Sequence, residues 1–331
     1  MSRTSLARIH RSTPHNLQLL ARRLRAGEIV AVPTETVYGL AGNAFDAAAC
    51  AKIFRAKERP QTDPLIVHLH SIRQLPLVCR PNAIALKLAR RFWPGPLTLI
   101  LPKTAAVPDI VSAGKRSVAV RIPRHPVFRR LLKLTGVPLA APSANPFGYI
   151  SPTTALHVRD GLGRKIGHIL DGGPAGVGLE STILDLRNPR RPRVLRPGAI
   201  TAEELAAALG TPVAQPRARA GGARADRAQL APGLLTRHYS PRTPVTLHKK
   251  LRGTDDRRHA YLFFRRPEQS EAKSNVFWLD EKGDLRRAAQ RLFGTLRKID
   301  AGKFEAIQAE LAPGGGLAFA INDRLRRAAA R

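Results

Sequence analysis

Short apolar runs, none longer than a strand, alternate with stretches of helical periodicity through the first two thirds of this chain. Residues 29–33, 37–40, 64–70, 97–101, 117–122, 138–141 and 181–186 are strand-sized and end in turn-forming residues. Between them, residues 14–26, 46–57, 81–93, 126–134 and 152–160 space their apolar side chains three or four apart, as helices do. Leu17, Leu20, Ala21 and Leu24 share one face, and Gly27 ends that segment; Pro94 ends the one at 81–93. A chain that must bury both kinds of element folds as an α/β sheet domain, here residues 1–210. No run reaches the roughly 18 apolar residues that a membrane helix needs, so a soluble protein is expected.

The texture changes after a helix expected at 201–209, where Thr201 and Glu204 form a capping box. Residues 211–232 are Pro, Gly, Ala and Arg with little large apolar content, the composition of a linker. Beyond it, strands are expected at 246–248, 260–264 and 275–279, and helices at 284–299 and 318–330. The organisation read from this is a catalytic-sized domain at 1–210, a linker or lid at 211–243 and a small α/β domain at 244–331.

The formal charge is +32, from 56 Lys and Arg against 24 Asp and Glu. It is spread along the chain: 31 − 12 = +19 in residues 1–210, 6 − 1 = +5 in 211–243 and 19 − 11 = +8 in 244–331. Such a field attracts polyanions, a nucleoside triphosphate or RNA. Aromatic residues make up only 5%, which leaves little for base stacking, so any RNA binding is expected to be weak and non-specific. The Arg-rich N-terminus has a transit-peptide flavour, but its helical spacing up to Gly27 favours the first helix of the fold. Cys50 and Cys79 lie far apart with no C-x-x-C pattern, which argues against disulfides and structural zinc and fits a reducing, cytoplasmic setting.

Familiar nucleotide and nucleophile signatures are missing: no P-loop, no G-x-G-x-x-G opening a helix, no H-E-x-x-H. The glycines of 172–178 lead into a strand and read equally as a turn or a phosphate loop. Polar side chains nonetheless fall where a core would reject them. In 117–122, Val118, Val120 and Ile122 share one face and Ser117, Ala119 and Arg121 the other; Arg121 must be ion-paired or line a polar cleft. His68 and His70 share a face with Ile66 and read as edge residues or, with partners not visible in sequence, as ligands. Lys57 and Arg59 close a helix, where they either answer the helix dipole or clamp phosphates. Ser143 and Asn145 follow a strand at the edge where α/β ligands collect.

Together, Pro33-Thr34-Glu35-Thr36-Val37-Tyr38-Gly39-Leu40, Lys57-Glu58-Arg59-Pro60, residues 64–68, Trp93-Pro94-Gly95-Pro96-Leu97-Thr98, Arg121-Ile122-Pro123, residues 141–145, Glu180-Ser181-Thr182-Ile183 and Leu195-Arg196-Pro197-Gly198 resemble the threonylcarbamoyl-AMP synthase family. His238-Tyr239-Ser240-Pro241 is similar to the linker motif of its long form, and residues 292–300 and 320–330 to its C-terminal domain. The resemblance implies a YrdC-like twisted mixed sheet with a basic cleft, a linker and a small Rossmann-like α/β domain. It implies synthesis of threonylcarbamoyl-adenylate from L-threonine, bicarbonate and ATP. The product would pass to a transferase complex that modifies tRNA. By the same likeness Thr34, His68, Arg121 and Ser181 form the threonine site. Lys57, Arg59, Ser117, Ser143, Asn145, Ser151, Arg196 and Tyr239 contact ATP, with Lys57 and Arg59 catalytic on its phosphates. Mg²⁺ would arrive with ATP, held by phosphates and water, since no ligand set stands out. Asp63, acidic within that phosphate region, carries no assignment. A double-stranded RNA- or tRNA-binding protein of the same fold is the alternative; it explains +32 but leaves Arg121, His68 and Ser181 without a task. A carbamoyl-adenylating hydrogenase-maturation module would need zinc fingers that two cysteines cannot build.

Overall fold

The computed structural model describes residues 6–216, 228–235, 238–252, 256–268 and 273–330; part of the expected linker, 217–227, lies outside the described residues. Ten strands make the first sheet: β1 (Arg8–Arg11), β2 (Val30–Val32), β3 (Gly39–Asn43), β4 (Ile66–His68), β5 (Leu97–Pro102), β6 (Ser117–Arg121), β7 (Leu139–Ala140), β8 (His168–Asp171), β9 (Thr182–Asp185) and β10 (Arg193–Arg196). Their order is β1-β8-β2-β3-β7-β4-β6-β5-β9-β10, with parallel and antiparallel neighbours mixed. The expected strand at 37–40 sits slightly later, from Gly39, because Thr34 to Val37 close a turn on themselves.

Helices of this part are α1 (Pro14–Arg25), α2 (Ala47–Lys57), α3 (Leu75–Val78), α4 (Ala83–Phe92), α5 (Asp109–Ser112), α6 (Pro126–Thr135), α7 (Ala155–Leu162) and α8 (Ala202–Leu209). Their starts follow from side chains that satisfy free N–H groups: Thr13 caps α1 with Pro14 at its first position, Asp46 caps α2, and Thr201 and Glu204 complete the capping box of α8. One core cluster packs Tyr38, Leu40, Ile53, Val67, Leu99 and Val120; another joins Leu17, Leu20 and Leu24 of α1 to Phe128 and Leu131 of α6.

The second sheet is parallel throughout, in the order β11 (Val245–His248), β14 (Ala306–Glu310), β12 (His259–Arg265), β13 (Val276–Asp280). Helices α9 (Leu285–Asp300) and α10 (Leu317–Ala329) pack on it through Leu292, Phe293, Leu296, Ile321 and Leu325. That cluster also takes in Val37, Ile150 and Leu179, which belong to loops of the first sheet. Each is at most 6% exposed. Gly178 marks how close the approach is, since a Cβ there would lie 2.4 Å from the Cα of Gln290 in α9. The two sheets therefore share apolar contacts at the loops that carry polar side chains. Among the described residues no helix is long and apolar enough to cross a membrane.

Candidate active site

Strands β4 and β6 run parallel, and their register sets His68 beside Arg121 at the carboxyl ends, where open α/β sheets bind ligands. Arg121 is 3% exposed. Its fork is held on three sides: Nε donates to Gly95 O (3.1 Å), Nη1 to Thr36 Oγ1 (3.0 Å), and Nη2 pairs with Glu35 Oε1 (2.8 Å). Both sequence readings of Arg121 thus apply, because the ion-paired arginine itself lines a cavity. Burial pushes the Glu35 carboxyl up, but Arg121 more than offsets this and holds it below the ordinary value. The turn beneath is tightened by Thr34, whose hydroxyl donates to Val37 O (2.6 Å) and accepts from the amides of Thr36 and Val37. His68 packs against Phe128 with the rings tilted by 53°; burial first, then Arg121, pushes its imidazole down to about 3, so it is neutral at pH 7.

A second group of cations lies next to this one. Arg59 is 6% exposed and pairs with Asp63 (2.9 Å), while its Nε and Nη2 donate to Asp63 O and Pro64 O. Asp63 is thereby the built-in partner of Arg59, a role the sequence left open. Arg196 donates to Ser181 O and Oγ and, through Nη1, to Pro232 O. Ser181 Oγ also meets Thr98 Oγ1 at 2.7 Å. Gly198 is required here: a Cβ would lie 2.4 Å from Thr182 N.

One cavity joins Thr34, Arg59, His68, Arg121, Ser143, Ser181, Arg196 and Tyr239 from the expected set, with Thr36, Glu180, Gly233 and His238 added. The expected residues Lys57, Ser117, Asn145 and Ser151 do not line it. Lys57, 1% exposed, donates to Ser143 O (2.6 Å) and Asn145 O (2.5 Å) and so braces the loop behind the cavity. Burial first, then Arg59, pushes its ammonium well below the usual lysine range. Asn145 spends its Nδ2 on Pro146 O and Tyr149 O, Ser151 donates to Glu180 Oε1 (2.6 Å), and Ser117 begins β6 on the Arg121 face. Thr36 and Glu180 sit inside motifs already singled out, but nothing in their spacing showed that they reach the cavity.

The cavity is narrow, about 40 Å³. Its roof is the later part of the expected linker or lid, from residue 229 on. Ala231 and Leu234 pack on Ile66, Ala119, Ile100 and Ile183, and Gln229 N donates to Thr62 O. Tyr239, 1% exposed and at φ 61°, lies against His238 and Phe293. Among the described residues the one carboxylate that lines the cavity, Glu180, is paired with Arg324, and the lining arginines Arg121 and Arg59 are paired with Glu35 and Asp63 behind them. Among the described residues no group of three His, Cys, Asp or Glu is placed to hold a metal.

A mixed sheet that ends in a buried arginine fork, beside a second cluster of arginines under a roof, frames a candidate site of the α/β class with two adjoining groups of cations. Family models narrow this. One described as "Telomere recombination" matches residues 22–198, and one described as "Threonylcarbamoyl-AMP synthase, C-terminal domain" matches residues 200–330. The chain is 39% identical over 324 residues to the threonylcarbamoyl-AMP synthase of Pyrococcus abyssi, covering 94% of this chain and 93% of that one. It is 40% identical to that of Bacillus subtilis, over 93% and 91%. The crystal structure of P. abyssi Sua5 complexed with L-threonine superposes with a TM-score of 0.88 at 36% identity, covering 98% of both chains. The chain belongs to the threonylcarbamoyl-AMP synthase family.

Proposed function

We propose that the protein is an L-threonylcarbamoyladenylate synthase, a nucleotidyltransferase. The amine of L-threonine and bicarbonate condense to a carbamate with loss of water. A carbamate oxygen then attacks the α-phosphorus of ATP, and the bond to pyrophosphate breaks. The observation that carries this reading is the pairing of two different anion sites in one cavity. Arg121, with neutral His68 and Thr34 around it, presents a planar fork that suits an amino-acid carboxylate. Arg59 and Arg196, with Ser143 and Tyr239, suit a nucleotide's phosphates, with Lys57 close behind. Ser181 bridges the halves through Arg196. The relative crystallised with L-threonine supports the first half of this assignment.

Among the described residues no cysteine is poised as a covalent nucleophile: Cys50 and Cys79 are buried, and burial pushes their thiols up to about 12. Rate enhancement would come from positioning and from preorganised positive charge, which costs no reorganisation as charge develops. Mg²⁺ would enter bound to ATP, with phosphate and water oxygens as its ligands, since the carboxylates here are committed to arginines. The adenylate would then pass to a transferase complex acting on tRNA. Mass spectrometry of the purified protein given ATP, L-threonine and ¹³C-bicarbonate tests the reaction. A labelled threonylcarbamoyl-adenylate is expected; pyrophosphate release without threonine, or no labelled product, refutes it.

A further inference from the structure

We infer that Arg324, on the last helix of the second sheet, is a positioning residue for the nucleotide half of the cavity. It is 0% exposed although it carries a full charge. Its Nε donates to Glu180 Oε2 (2.7 Å), Nη1 to Asp323 Oδ2 (2.6 Å) and Nη2 to Pro197 O (2.9 Å). Its guanidinium also stacks over the Tyr239 ring at 5.1 Å. One side chain from α10 therefore touches the cavity carboxylate Glu180, the residue after Arg196, and the aromatic ring of the roof.

These contacts run on into residues expected to meet ATP. The other oxygen of Glu180 accepts from Ser151, so Arg324 and Ser151 hold the carboxylate from opposite sides. A structural ion pair alone would need only one carboxylate; the carbonyl of Pro197 and the stack on Tyr239 use the planar fork and its face together, which lysine cannot reproduce. Helix α9 supports the same loop, as Arg297 donates to the carbonyls of Ile150 and Ser151. Neighbouring Arg327 donates to Leu235 O (2.6 Å), which fixes the roof segment just before Tyr239. The fork of Arg121 in the threonine half, by contrast, is held by Glu35, Thr36 and Gly95, none of them a partner of Arg324, and the halves meet only at Ser181, which follows Glu180 and accepts from Arg196. The C-terminal part of the chain would thus set affinity for ATP while leaving affinity for the amino acid alone.

The inference rests on the cavity's nucleotide half binding ATP, and the test is read by binding rather than turnover so that the two can fail separately. Full-length Arg324→Lys, Arg324→Met and the double variant Glu180→Gln with Arg324→Met are titrated with ATP and, separately, with L-threonine, alongside thermal melts. Loss of a desolvated stack on Tyr239 is expected to weaken ATP binding about tenfold in Arg324→Met. The lysine variant is expected to recover less than half of that loss, and threonine affinity to stay within about threefold. Removing the leftover carboxylate in the double variant is expected to restore the melting temperature but not ATP affinity, a split that a purely structural ion pair would not give. Unchanged ATP affinity in the folded double variant, or equal losses for ATP and threonine, overturns the inference. A parent protein that binds ATP yet makes no adenylate would sink the proposed reaction and leave the role of Arg324 intact.

Discussion

Replacing Arg121 with methionine should do two separable things, and pH tells them apart. The side chain makes two hydrogen bonds and one ion pair in a site 3% exposed, and its loss strands Glu35, whose side chain is 11% exposed. Breaking a buried pair by removing one partner costs about 3–5 kcal/mol. In the parent protein Glu35 titrates below its ordinary 4.5, so its contribution to stability is present above that pH and fades as pH falls through the lower folded value. In the variant burial acts without Arg121 and lifts the carboxyl above 4.5, so the penalty grows as pH rises. The full deficit is expected near pH 7.5, with much of it gone near pH 4. Urea unfolding at both pH values, followed by Trp93 fluorescence in a Trp278→Phe background, measures this. The double variant Arg121→Met with Glu35→Gln should regain more than half of the stability at pH 7.5 while threonine-dependent pyrophosphate release stays absent. A deficit independent of pH, or near-normal turnover at saturating threonine, would refute the reasoning.

Cutting the chain after Gly210 should leave a folded first domain, since its two main core clusters are made almost wholly by earlier residues. It would expose Val37, Ile150 and Leu179, at roughly 1.5–3 kcal/mol each, and should make far less adenylate; product formation equal to the full chain would rule out the roof as a working part. Tyr239→Ala in the full chain should reproduce part of that loss in the same assay. His68, held neutral down to about pH 3, should add acid lability between pH 6.5 and that value as the unfolded chain takes up its proton; His68→Phe should flatten that limb by up to about 1.4 kcal/mol per pH unit in unfolding titrations. RNA binding should be non-specific and fall at least about tenfold between 50 and 200 mM salt, whereas tight binding of one tRNA at high salt, read by filter retention, would favour an RNA-binding role.

Arg121 was legible in sequence because a charge on an otherwise apolar strand has few places to go. The alternating strands and capped helices were legible for the same kind of reason, since local spacing decides them. What escaped was set by distance along the chain. Strands β1, β8 and β14 carry Arg, His, Gln or small residues and pair only because a remote neighbour offers an edge. Lys57 ends its helix as expected, yet its ammonium turns to carbonyls 86 and 88 residues away, which no local pattern encodes. The same holds for Asp63: its proximity to Arg59 is local, but the depth at which the pair sits is not.

The contact between Glu180 and Arg324 spans 144 residues of sequence, and the arginine is the later of the two. A ribosome making this protein therefore finishes the first sheet long before it supplies the counter-charge for that buried carboxylate. Until α10 emerges, Glu180 has only the Ser151 hydroxyl, and the Tyr239 ring lacks the guanidinium it stacks against. Chains broken off by stalled or frame-shifted translation would carry the anion pockets without the finished roof. On that order of synthesis, the finished nucleotide half would exist only once α10 has been made.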